Sequence, residues 1–136
     1  MRVLFDTNVV LDVINRREPF LADAYKSLQI AFEHHTACVS VTTITDVMYI
    51  TRKAFADSTR QKHALSVFFS QFRICAVKKR QIRHAFASLM SDYEDAVQAF
   101  CAKHIHAAYV ITRNIKDYRL SPVPAITPAD FLAMQR

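Results

Sequence analysis

Val3-Leu4-Phe5-Asp6-Thr7-Asn8 opens the chain with three apolar residues, a carboxylate and a polar turn. A buried strand that ends on an acid and feeds a helix places a charge at the carboxyl edge of a parallel sheet. Three more acids, Asp46, Asp95 and Asp117, lie near the ends of later strand-like runs or the helix starts that follow them. Four carboxylates gathered at one sheet edge would make an all-oxygen site suited to Mg²⁺ or Mn²⁺.

Working outward from that opening, residues 2–6, 37–41, 73–77 and 109–112 are short apolar runs, with a weaker one at 123–126. Continuous apolar runs of this length suit strands buried on both faces. Helical patterns separate them. A short helix holds Val9, Val10, Leu11 and Val13, and residues 19–33 open with Pro19, favoured in a first helical turn. In 59–72 the stripe is Ala64, Leu65, Phe68, Phe69 and Phe72, and in 79–90 it is Ile82, Ala85, Phe86, Leu89 and Met90. Thr127-Pro128-Ala129-Asp130 starts a last helix reaching about Met134. Strands alternating with helices predict a single-domain, three-layer α/β/α sandwich on a central parallel sheet of four to five strands, spanning 1–136.

Composition narrows the function classes. The chain contains no glycine, which rules out Walker A and GxGxxG phosphate loops and with them the nucleotide cofactors held that way. No apolar run reaches the roughly 18 residues of a membrane span. No signal-peptide pattern precedes the first strand, so a cytoplasmic location and no membrane partner are expected. Cys38, Cys75 and Cys101 stand singly in apolar surroundings, as core thiols do in a reducing compartment. A net charge of +6 favours a polyanionic partner such as nucleic acid.

Each acid also has an ordinary use. Asp6 can cap the helix that follows it, Thr43 and Asp46 have capping-box spacing, and Asp95 follows Asp92 by three in a helix reaching about Lys103. Taken together the acids point elsewhere, because helix starts in a doubly wound sheet gather at the ligand crevice. Carboxylates crowded there repel unless a divalent cation intervenes, and such a cation also polarises phosphoryl oxygens and activates water. Thr7, Asn8, Thr112 and Asn114 add neutral groups that either position substrate or simply shape turns.

The segments Leu4-Phe5-Asp6-Thr7-Asn8, Thr43-Ile44-Thr45-Asp46, Asp92-Tyr93-Glu94-Asp95-Ala96, Val110-Ile111-Thr112-Arg113-Asn114-Ile115-Lys116-Asp117-Tyr118 and Ile126-Thr127-Pro128-Ala129-Asp130-Phe131-Leu132 carry a family resemblance. In that order and spacing the chain resembles PIN-domain proteins, and among them the small VapC-like toxin ribonucleases of bacterial toxin–antitoxin pairs. The resemblance implies metal-dependent hydrolysis of RNA phosphodiesters with Mg²⁺ or Mn²⁺. It implies Asp6 and Asp95 as principal metal ligands, with Asp46 and Asp117 completing the catalytic quartet and Asp92 as an outer ligand. Asp46 stands where such proteins usually carry Glu, and Asn114 where many carry Asp. The implied partners are RNA, a small antitoxin and a second copy of the chain.

Arg113 and Lys116 share a loop with Asp117 and are the better candidates to position substrate. Arg16-Arg17 and Arg52-Lys53 are further candidates to line an RNA path, while Lys78-Lys79-Arg80 with Arg83 reads as a solvated face. His34-His35 suits a helix end, and His104 and His106 a helix-to-strand turn. Tyr25, Tyr49, Tyr93 and Tyr118 read as packing residues. Two alternatives compete: a catalytically weak PIN module that binds RNA or protein, and a haloacid-dehalogenase-type phosphatase. The second would need an Asp where Asn8 stands.

Overall fold

The elements run β1 (Arg2–Phe5), α1 (Thr7–Ile14), α2 (Leu21–His34), β2 (Thr36–Ser40), α3 (Val41–Thr51), α4 (Ser58–Phe69), β3 (Arg73–Cys75) and α5 (Lys79–Ala87). They continue with α6 (Tyr93–His104), β4 (Tyr109–Ile111), a 3₁₀ helix (Ile115–Tyr118), β5 (Ala125–Ile126) and α7 (Pro128–Ala133). The computed structural model describes residues 1–135. All strand pairs are parallel, in the order β3-β2-β1-β4-β5. The chain winds outward from β1 to β3 and returns to β4 on the other side of β1. Strand order therefore reverses between β1 and β4, where such sheets open a crevice. Phe5 pairs with Ile111, which sets Asp6 beside Thr112 at the carboxyl ends.

Alternation along β1 decides the two cores. Val3 and Phe5 point into one, with residues of α1, α2, α3, α4 and α7. Leu4 points into the other, under α5 and α6, with Cys38, Cys75 and Cys101. The result is the expected three-layer sandwich, with five strands. Phe72 anchors the larger core edge-on to Phe5 at 6.3 Å and to Phe32 at 5.0 Å. Burying one such ring is worth about 1.5–3 kcal/mol. No helix among the described residues is long and apolar enough to cross a membrane.

Several boundaries move, each for a local reason. Pro19 lies before α2 instead of in its first turn, because Phe20 and Leu21 first close a turn on the Arg17 carbonyl. β2 ends at Ser40, whose hydroxyl accepts from the Thr43 amide and starts α3. That cap displaces the expected Thr43–Asp46 box and puts Asp46 in the second turn of α3. α4 stops at Phe69, so Phe72 reaches the core from the turn beyond it, and Ala64 is exposed. β3 is a three-residue edge strand with Ile74 49% exposed, not a strand buried on both faces. α5 ends at Ala87, and Phe86 and Leu89 are 75% and 86% exposed, not core residues.

Candidate active site

Asp6 sits where β1 gives way to α1. It caps that helix, accepting from the Thr7 amide at 2.7 Å on Oδ1. On Oδ2 it accepts from the Thr112 hydroxyl at 2.8 Å and from Asn8 Nδ2 at 3.2 Å. The capping reading of Asp6 therefore holds, and the same side chain lines the crevice. Burial pushes the Asp6 carboxyl up, and the Thr112, Thr7 and Gln98 donors oppose that rise.

α6 brings the second set. Asp92 is its cap, accepting from the Asp95 amide at 2.9 Å. Asp95 is buried in the first turn, within 3.5 Å of the buried Tyr118 hydroxyl. Burial, then the charges of Asp6, Asp92, Asp117 and Glu94, push Asp95 up to about 7. Glu94 is also pushed up to about 7, by the neighbouring Asp46 carboxylate and then by partial burial. Glu94, which the sequence alone did not single out, thus stands near Asp46 in the same hollow.

Asp6, Asp46, Asp92, Glu94 and Asp95 line one hollow of about 410 Å³, together with Thr7, Asn8, Asn114 and Arg17. Asp117, in the 3₁₀ helix, is half-buried and does not line it, though its charge reaches Asp95. Lys116 is exposed and stands outside it as well. None of these carboxylates takes part in a salt bridge among the described residues.

Behind the hollow lies a polar network that the sequence did not announce. Buried Gln98, one turn after Asp95, donates to Thr43 at 2.7 Å and more weakly to Asp6, and accepts from Ser40 at 2.7 Å. Thr7 and Thr43 hydroxyls meet at 3.0 Å. Asn8 joins both sides of the crevice, donating to Asp6 and Thr112 and accepting from the Arg113 amide at 3.3 Å. The signal for Gln98 was a polar residue on the apolar face of α6.

Arg113 is turned away from the hollow. Its guanidinium grips fully buried Asp12 at 2.6 and 3.2 Å and lies 4.0 Å over the Phe20 ring. It therefore locks the β4 loop onto α1. Asp12 was legible as the one charge inside Val9-Val10-Leu11-Asp12-Val13-Ile14. Tyr49 does not pack inside: it is 65% exposed, lines the rim and carries Arg52 at 3.9 Å over its face.

Among the described residues no three carboxylates stand ready-made at metal-ligating spacing. The donor set nonetheless suits a hard divalent cation. It is all oxygen and negatively charged, and Mg²⁺ takes one or two protein carboxylates while keeping several waters. Asp6 and Asp95 would be those two, with Glu94, Asp46 and Asp92 within the same hollow.

A model of the PIN domain family matches residues 2–116. No curated protein matches the sequence. Among solved structures, the chain is similar to one in VapBC2 from Rickettsia felis bound to a DNA fragment from their promoter. That match has a TM-score of 0.74 and 19% identity, and covers 93% of this chain and 98% of the other. It is similar to a chain of a toxin–antitoxin complex from Klebsiella pneumoniae, at TM-score 0.64 and 26% identity, covering 93% and 97%. FitAcB from Neisseria gonorrhoeae gives a TM-score of 0.69 at 19% identity, covering 93% and 98%.

Proposed function

The chain belongs to the PIN domain family, and from that premise we propose that it is a Mg²⁺- or Mn²⁺-dependent endoribonuclease, the toxin of a toxin–antitoxin pair. The observation that carries the reading is the hollow at the β1–β4 crevice. It gathers five carboxylates, none of them in a salt bridge among the described residues, and their mutual repulsion and burial push two of them, Glu94 and Asp95, up to about 7. Such a site has an electrostatic deficit that a divalent ion removes.

In this reading Asp6 and Asp95 hold the ion, and Asp46, Glu94 and Asp92 complete its surroundings. When bound, the ion supplies Lewis acidity to the scissile phosphate and lowers the pKa of water. The chain's own residues do the rest. Thr112, Asn8 and the Thr7 amide fix both Asp6 oxygens, and Gln98 ties α6 to α3 and α1 so that Asp95 faces Asp6. Asn114, at the hollow's edge, is placed to orient the phosphate or a water. Asp117 acts on Asp95 through its charge, from outside the hollow.

Solved structures similar to this chain are toxin–antitoxin complexes, which supports a small antitoxin as partner; a homodimer is part of the same proposal. The test is cleavage of a panel of single-stranded and structured RNAs with Mg²⁺, with Mn²⁺ and with EDTA, beside Asp95→Asn. Metal-dependent cleavage lost by at least a hundredfold in the variant is expected. Cleavage that survives EDTA or the substitution rejects the assignment. No cleavage by the wild type with either ion points to the non-catalytic binding module.

A further inference from the structure

The acids and bases of this chain are segregated. Residues 58–91 hold seven Lys or Arg, two His and no acid. α5 carries Lys79 and Arg80 in its first turn, where the helix dipole disfavours cations. That arrangement costs stability instead of adding it. Beside it, Arg80, His84, Lys103, His104 and His106 surround a hollow of about 360 Å³ whose lining includes no acid. Half-buried Phe100 also lines it, with its ring stacked on His84 at 5.2 Å and 19°.

A second feature joins this hollow to the acidic rim. Phe86 is 75% exposed and lies 4.9 Å from Tyr93, itself 45% exposed and next in sequence to Glu94 and Asp95. The seam between α5 and α6 therefore runs from the carboxylates, past two exposed rings, to the His84–Phe100 stack and the cations. Along α6, the eight helical steps from Asp95 to Lys103 span about 12 Å. That is roughly four stacked nucleotides at about 3.4 Å each. Cations for phosphates interleaved with rings for bases are the surface a single nucleic-acid strand uses, since paired bases do not offer their faces.

We propose that the α5–α6 seam is the track for single-stranded RNA, with Tyr93 and Phe86 stacking bases and the Arg80–Lys103 hollow holding a backbone phosphate. The track rests on the ribonuclease reading and extends it, by assigning the strand's path to the α5–α6 seam and placing a second grip about 12 Å along α6 from Asp95.

The test uses the full chain in EDTA, with anisotropy of a labelled single-stranded RNA 12-mer across a NaCl series. Arg80→Gln/Lys103→Gln, both at exposed positions, is expected to weaken binding at least tenfold. It should also make the log–log salt slope shallower by about 1.4, for two cations at about 0.7 each. Phe86→Ala is expected to weaken binding roughly five- to hundredfold with the salt slope unchanged. With metal, both variants should raise KM for the 12-mer and leave kcat in place.

Wild type that binds and cleaves the 12-mer while both variants match it overturns the track and leaves the ribonuclease reading standing. Wild type that neither binds nor cleaves overturns both. Phe86→Ala that splits a dimer on sizing but keeps RNA affinity would assign the rings to a second copy, against the track. Adenosine monophosphate competing as well as RNA would assign the hollow to a free nucleotide, again against it.

Discussion

Asp12 and Arg113 show how one side chain can change its meaning between sequence and fold. Arg113 reads as a phosphate ligand beside Asp117, but a fully buried carboxylate claims it with two hydrogen bonds. Arg113→Ala is expected to cost about 3–5 kcal/mol, because Asp12 would stay buried with its two hydrogen bonds gone and only the Arg17 guanidinium, at 4.0 Å, as counter-charge. Asp12→Leu/Arg113→Met should restore most of that loss; urea unfolding measures both. Asp95 obeys the opposite logic, being buried with no salt bridge among the described residues. Asp95→Asn is expected to abolish cleavage while making the metal-free protein more stable at pH 8, by the same unfolding measurement. An Asn that destabilised the protein at pH 8 would show that Asp95 serves packing instead.

At the scale of elements, the caps were the most legible feature and the sites built on them the next. Thr127 caps α7 and Asp92 caps α6, as their spacing to Asp130 and Asp95 implied. Asp57, which caps α4 far from the rim, is a clean control: Asp57→Ala should cost about 1 kcal/mol in thermal or urea unfolding and leave cleavage unchanged. The errors came where two signals competed for the same residues. Thr43–Asp46 had capping-box spacing, yet Ser40 lies at the strand end and reaches the Thr43 amide first. Phe86 and Leu89 fit an apolar stripe, but α5 packs on α6 through Ala85 and Ile82, leaving both larger side chains in solvent. Periodicity reports which residues share a face, not whether another layer covers that face. Glu94 and Gln98 were missed for a related reason. Their roles depend on α3 lying across the crevice from α6, which no local pattern encodes.

For the whole molecule, strand order does the decisive work. A doubly wound parallel sheet was expected from alternating strands and helices; its strand order was not, and the β1–β4 switch point brings residues about a hundred positions apart, Asp6 and Thr112, to 2.8 Å. It also concentrates negative charge at one sheet edge, with a consequence for stability. Asp95 and Glu94 ionise near pH 7 in the fold, against ordinary carboxyl values when unfolded. A raised folded-state pKa means the unfolded chain releases its proton first, so stability is full below about pH 4 and is lost as pH rises to about 7. Metal-free protein should therefore melt at lower temperature at pH 7.5 than at pH 5, and Mn²⁺ should remove most of that difference. A melting temperature that rises over this interval without metal would contradict the electrostatic picture. The most direct measurement is a calorimetric Mn²⁺ titration at pH 6.5 in two buffers of different ionisation heat, for wild type and Asp6→Asn. The account predicts saturable binding with proton release from Asp95 and Glu94 in the wild type, and loss of that binding in the variant. Absence of binding, or equal binding by Asp6→Asn, would contradict the claim that these carboxylates form a metal-dependent nuclease site.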